Sequence, residues 1–199
     1  MSDIKKNLPN VPYYSQWLDV KDPDWQRRSC GICALKMAME FLKNTSNTSL
    51  RRPTSKLPDL DDLIKKGLQI PNAYNPRFGW VHDGLAALAK SLGFESSFRK
   101  EWLIDGSLPA GEADPTSINE SAENIVSILK DDLPVLASVK SDTGGHLILL
   151  IGFEKEGEKL KGFYYHDPDA KKADEGKNKF IPLANFLELW KGRIIVVKK

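Results

Sequence analysis

Two cysteines stand in Ser29-Cys30-Gly31-Ile32-Cys33, where a polar stretch gives way to apolar residues at helical spacing. A cysteine at the start of a helix meets unpaired backbone N–H groups and the positive end of the helix dipole. Both favour the thiolate, which is the reactive form of the side chain. Gly31 leaves room for a carbonyl to approach, and the Cys30 N–H is placed to face an oxyanion. Other readings stay open on these residues alone. Both cysteines could be small buried apolar residues. C-x-x-C at a helix start is also a thioredoxin-like redox signature, but that motif follows a buried strand. Lys21, Asp22, Asp24, Arg27 and Arg28 do not make such a strand. A zinc site would need two histidines at short spacing, and His82, His146 and His166 are too far apart.

A thiolate needs a base and the base needs an orienting group. His146 follows Thr143-Gly144-Gly145 and opens the apolar run Leu147 to Phe153. A histidine at the mouth of a buried strand joins a rigid element to a flexible turn, a suitable place for a general base. Asp167 closes the aromatic run Phe163-Tyr164-Tyr165-His166 and precedes Pro168. Its carboxylate can accept the second ring N–H of His146, fixing the tautomer and stabilising the imidazolium. His166, one residue earlier, points to the other face of its strand and reads as structural. Gln16 ends the segment Val11-Pro12-Tyr13-Tyr14-Ser15-Gln16, and its amide is a candidate second oxyanion donor. Each residue also has a structural reading: a bonded histidine, a turn aspartate, a loop glutamine.

Short elements must position these groups. Pro12 keeps residues 11–16 extended. Ala34, Leu35, Ala38, Met39 and Leu42 form one buried stripe of a helix from Cys30, with Lys36, Glu40 and Lys43 on other faces. Residues 44–55 read as a loop. A helix over 60–66 should stop at Gly67, and another should span 80–92 before Gly93. Ser117 to Glu120 has the form of a capping box opening a helix to Lys130. After Lys130 the pattern changes to strands over 134–139, 146–153, 163–166 and 194–197, interrupted by a helix over 183–190. Helices first and antiparallel strands later predict an α+β fold. No linker separates two cores, so residues 1–199 are expected as a single domain, with 1–10 as a flexible tail.

A net charge of +2 gives no reason to expect nucleic acid or a membrane surface as partner. Arg51-Arg52 and Lys171-Lys172 read as solvated surface. The longest apolar run, 147–153, is far too short to span a membrane, and the first residues lack the apolar segment of a secretory signal. The chain reads as cytoplasmic. Trp17, Trp25, Tyr74 and Trp80 are either groove-lining aromatics or anchors of the core.

The order of these pieces resembles a known family. Gln16, then Cys30-Gly31 at a helix start, then Gly145-His146 before an apolar strand, then Asp167-Pro168 is similar to the bacteriocin-processing, double-glycine leader cysteine peptidases. Their stand-alone relatives in the papain-like superfamily share it. Val11 to Gln16, Cys30 to Met39, Gly145 to Gly152, Tyr165 to Pro168, and Phe186 with Trp190 and Gly192 carry the likeness; Trp80 to Leu85 is similar to a segment of the stand-alone relatives. The resemblance implies a papain-like fold and a cysteine-dependent hydrolase acting on a peptide or amide substrate. Cys30 would be the nucleophile, His146 the base, Asp167 the orienting acid and Gln16 the oxyanion donor, with no cofactor and no metal. Cys33 falls on a non-catalytic position. The interval from Gln16 to Cys30 is longer than in the transporter-linked peptidases, which keeps Gln26 as a second candidate donor. Acyl transfer on the same fold, a Cys30/Cys33 redox protein and an inactive binding module are the alternatives.

Overall fold

The computed structural model describes residues 3–45, 56–101, 115–142 and 144–199. A single turn, α1 (Pro23–Gln26), leads into the helix that opens on Cys30, α2 (Cys30–Thr45). The expected single stripe understates its burial: Gly31 to Met39 are buried all round, Lys36 included. The reason is enclosure, because α3 (Leu60–Leu68), α4 (His82–Ser91) and the sheet all pack on α2. Lys36 tolerates this by running its apolar stem through the packing and delivering its ammonium to a polar edge. Its Nζ donates to Pro58 O at 2.8 Å and lies 3.5 Å from Glu40 Oε2.

Gly67 does not end α3; it lies inside the helix, and a Cβ there would come within 2.6 Å of the Trp80 ring. Trp80 belongs to no helix. It pairs in a two-stranded hairpin, β2 (Tyr74–Asn75) with β3 (Gly79–Trp80), and α4 begins two residues later.

The main sheet is antiparallel, in the order β4 (Glu95–Lys100), β9 (Trp190–Lys198), β5 (Val135–Ser141), β6 (Gly144–Glu156), β7 (Lys159–His166), β8 (Lys179–Pro182). Leu147 to Ile151 of β6 are buried without alternation, the mark of a strand covered on both faces. α5 (Pro115–Lys130) packs on β5 and β6. It opens on Pro115, a residue favoured at the first helical position, so Ser117 lies inside the first turn instead of capping it. The helix expected to reach Trp190 is α7 (Leu183–Leu189), and Trp190 starts β9. A further single turn, α6 (Ala173–Gly176), precedes β8.

Residues 4–8 are not a loose tail. Ile4–Asn7 form β1, paired with Gly152–Lys155 of β6, and Leu8 is buried. Gly152 allows this: a Cβ there would stand 2.2 Å from Lys6 O. Most of the expected 44–55 loop lies outside the described residues, as does Thr143 of the turn before β6.

Candidate active site

Cys30 is the first residue of α2, and Ser29 accepts the first helical bond from Cys33 N–H. The Ser29 hydroxyl does not cap the helix; it donates to Trp25 O at 2.7 Å. The space left by Gly31 is not open to a substrate, as the sequence suggested. A Cβ there would meet Leu85 at 2.8 Å and Leu147 at 3.1 Å, so the glycine lets α4 and β6 close on the helix.

His146 is the third residue of β6, paired opposite Val139, and so sits within the strand and not at its mouth. Its Nε2 lies 2.8 Å from Asp167 Oδ1. The Cys30 thiol acts electrostatically on the same ring, and with Nε2 committed to Asp167, Nδ1 is the nitrogen left to face it. Asp167 Oδ1 accepts a second bond from Asp169 N–H at 3.0 Å, and Lys179 Nζ stands 3.7 Å from Oδ2.

The electrostatics follow from these contacts. Burial pushes the Cys30 thiol up, but the His146 bond, the imidazolium charge and the N–H groups of Leu147 and Gly31 outweigh it, leaving the thiol below its ordinary value. Burial pulls His146 down, and its bonds to Asp167 and Cys30 reverse this and raise it to about 10. Asp167 is lowered against its own burial, mainly by His146. A thiolate, an imidazolium and a carboxylate thus stabilise one another. Cys33, one turn along α2, has no such partners. Burial drives its thiol well above the ordinary range, helped by the negative charge at Cys30. A thiol so hard to ionise is a poor resolving partner for a redox cycle.

The Asp167 turn is fastened by the segment 11–17. Tyr13 Oη donates to Asp167 O at 2.9 Å, Gln16 N–H to Pro168 O at 2.9 Å, and Ser15 Oγ to Ala170 O at 2.7 Å. The fully buried His166 joins in, with Nε2 3.3 Å from Val11 O and Nδ1 accepting from Asn178 N–H at 3.1 Å. Both ring nitrogens are spent on the backbone, which makes it structural.

Gln16 is buried beside this turn and is not among the residues lining the cleft at Cys30. Its Nε2 donates to Asp169 Oδ1 at 2.5 Å, and its Oε1 is buried without a partner. Gln26 Nε2 donates to both Trp17 O and Val20 O, which uses both of its N–H bonds. Sequence reasoning missed Asp169, which links Gln16, Trp17 Nε1 and the Asp167 carboxylate. It also missed His82 and Ser138 in the cleft wall. No local pattern marks these three residues. Of the aromatics, Tyr74 and Trp80 line the cleft, while Trp25 packs against both with ring centroids 5.0 and 5.9 Å away.

Comparison with known proteins gives a consistent picture. The model of the Peptidase_C39 like family matches residues 8–193. A structure described as that of a C39-like peptidase from Bacillus anthracis is similar, with 16% identity, a TM-score of 0.60 and 98% of each chain covered. So is a double glycine motif protease from an AMS/PCAT transporter, solved with its leader peptide. It shows 16% identity and a TM-score of 0.54, with 100% of this chain and 98% of that chain covered. At these identities the likeness speaks for the fold. A search of curated proteins finds no match.

Proposed function

The chain belongs to the Peptidase_C39 like family and is a cysteine peptidase-like hydrolase; on that premise we propose that it cleaves a peptide or amide bond through Cys30, His146 and Asp167. The observation that carries this reading is the continuous chain of contacts from the Cys30 sulfur through His146 to Asp167, 2.8 Å at its second link.

In the proposed reaction the Cys30 thiolate attacks the carbonyl carbon, and the C=O electron pair moves onto oxygen. The Cys30 N–H at the start of α2 donates to that oxyanion. Gln16 is taken as the second donor: it lies outside the cleft lining and must turn towards Cys30 to act, with one N–H bonded to Asp169 and the other without an acceptor among the described residues. Gln26 has none left. The tetrahedral intermediate collapses as imidazolium His146 gives its proton to the leaving amine, so the C–N bond breaks and an acyl-thioester remains. Neutral His146 then takes a proton from water, which attacks the thioester and restores the thiolate. Asp167 stays ionised throughout and holds the ring. The reading places the work in a reducing compartment such as the cytoplasm, where Cys30 stays a thiol.

The test is the alkylation rate of each cysteine against pH, read by peptide mass spectrometry. An ordinary thiol titrates near ~8.5 and reacts slowly at about pH 6. Fast labelling of Cys30 alone at about pH 6, lost in His146→Ala, is the expected result. Equal, ordinary titration of Cys30 and Cys33 would sink the proposal.

A further inference from the structure

The cleft at Cys30, about 570 Å³, is walled by cations from three separate stretches of chain. Arg27 and Arg28 precede α2, Arg77 lies in the β2–β3 hairpin, and Lys191 and Arg193 lie on β9. Among the described residues no aspartate or glutamate lines it, although the chain as a whole has 27 acidic residues against 29 basic ones. Among the described residues, none of the four arginines is paired with a carboxylate. They meet neutral groups instead. Arg27 lies over the Trp17 ring at 5.9 Å, Arg77 over Phe78 at 5.2 Å, and Arg28 Nη1 donates to Tyr74 Oη at 2.8 Å. Such contacts orient a guanidinium and leave its charge available. Lys191 is held below its ordinary value by burial and then by the positive charges of Arg193 and Lys140.

Convergent arginines with no carboxylate partner among the described residues repel one another, and an arriving anion lowers that cost. A second observation points the same way. Trp80, only 7% exposed, lines the cleft with its indole N–H buried and without an acceptor among the described residues. His82 lines it too, with Nε2 buried and unpartnered. At the lip, Phe78 is 74% exposed, an apolar contact for a chain longer than a small ion.

We propose that the cleft selects an acidic polypeptide segment, whose Asp or Glu side chains near the scissile bond are held by Arg77, Lys191, Arg193 and the Arg27-Arg28 pair. The inference rests on the hydrolase reading for its scissile bond, and the electrostatic selection is separable from it. Cations on three elements surround the nucleophile, so carboxylates flanking the bond are drawn in while the carbonyl reaches Cys30. A basic segment is repelled before it can dock.

The experiment uses the intact protein and three alkylating peptides with one reactive head: iodoacetyl-Glu-Glu, iodoacetyl-Gln-Gln and iodoacetyl-Lys-Lys. Second-order labelling of Cys30 is followed at about pH 6, where ordinary thiols are slow. The Glu-Glu probe is expected to react on the order of tenfold faster than Gln-Gln, with Lys-Lys slowest. That Glu-to-Gln ratio should shrink in Arg77→Gln/Arg193→Gln. It should also shrink in the wild type between about 0.05 and about 0.5 M salt, a readout that needs no variant to fold. Equal rates for Glu-Glu and Gln-Gln, or a lead for Lys-Lys, would overturn the selection and leave the hydrolase intact. Competition by a deoxyoligonucleotide and not by hexaglutamate would overturn it in favour of nucleic acid. Failure of all three probes to label Cys30 would remove the hydrolase reading and this inference with it.

Discussion

His146 and His82 line the same cleft and are held in opposite charge states. Both are largely withdrawn from water, and burial pulls both towards the neutral form. At His146 two anionic partners, Asp167 and Cys30, overcome burial and hold the ring charged to about 10. At His82 burial is reinforced by Arg193 and Lys191 against only Asp83, and the ring is held neutral down to about 4. The ring also stacks on Phe98 at 4.8 Å, with no hydrogen bond on Nε2. Desolvation is common to the two sites, so the sign of the neighbours decides the outcome. One wall of the cleft therefore holds compensated charge suited to chemistry. The other holds arginines with no carboxylate partner among the described residues, a charge suited to recognition.

Removing the anion from the first wall should have the largest effect. Cys30→Ala is expected to reduce turnover on the order of 10⁴-fold or more. It should also lower the His146 titration towards its ordinary value, which histidine NMR would read. An unchanged His146 would mean that the thiolate is not its partner. Next comes Asp167→Asn, with a loss of ~10²- to 10⁴-fold in kcat/KM. In the wild type the active pair exists above the lowered Cys30 pKa and below the His146 value of about 10. The variant should bring the alkaline limb of the rate profile down in pH. Gln16→Ala should cost about 10²- to 10³-fold in kcat with little change in KM, as expected for a donor to the oxyanion. A pure KM effect would return Gln16 to a role in fastening the Asp167 turn.

The fourth effect concerns stability and the second wall. The folded His82 value, about 4, lies below the ordinary 6.5, so the unfolded chain takes up the proton first. The stability tied to neutral His82 is complete above about pH 6.5 and is lost as pH falls through about 4, at most ~3 kcal/mol. His146 has the opposite sign: its contribution is complete below 6.5 and is lost as pH rises through about 10. His82→Phe should therefore flatten the acid side of a melting-temperature profile and leave the alkaline side alone. If the acid side keeps its slope, the contrast between the two histidines is not what shapes it.

That Cys30, His146 and Asp167 belong together could be read from the sequence because each carries a local signal. Cys30 stands at a change of periodicity, His146 at the head of an apolar run and Asp167 at a strand-ending Asp-Pro. The papain-like α+β class was legible for the same reason. Strands β1, β4 and β8 were not, because Ile-Lys-Lys-Asn, Glu-Ser-Ser-Phe-Arg-Lys and Lys-Phe-Ile-Pro are polar outer strands that exist only through distant pairing partners. The buried Lys36 is illegible for a related reason: its acceptor is a loop carbonyl 22 positions away. The cationic wall is hardest of all to read. Its members are scattered from 27 to 193 in a chain of balanced charge, and only folding brings them together.

The fastening of the Asp167 turn by residues 11–17 also sets a timetable. Tyr13 and Asp167 are separated by 154 positions, so the ribosome finishes one anchor long before it makes the other. At ordinary elongation rates that interval lasts roughly 8 to 30 s. For most of it Cys30 has been made, while the turn that orients His146 has not. A nascent chain stalled before Asp167 should carry Cys30 as an ordinary thiol, slow to alkylate at mildly acidic pH. On the proposed reading, the finished chain is expected to become reactive only near the end of its own synthesis.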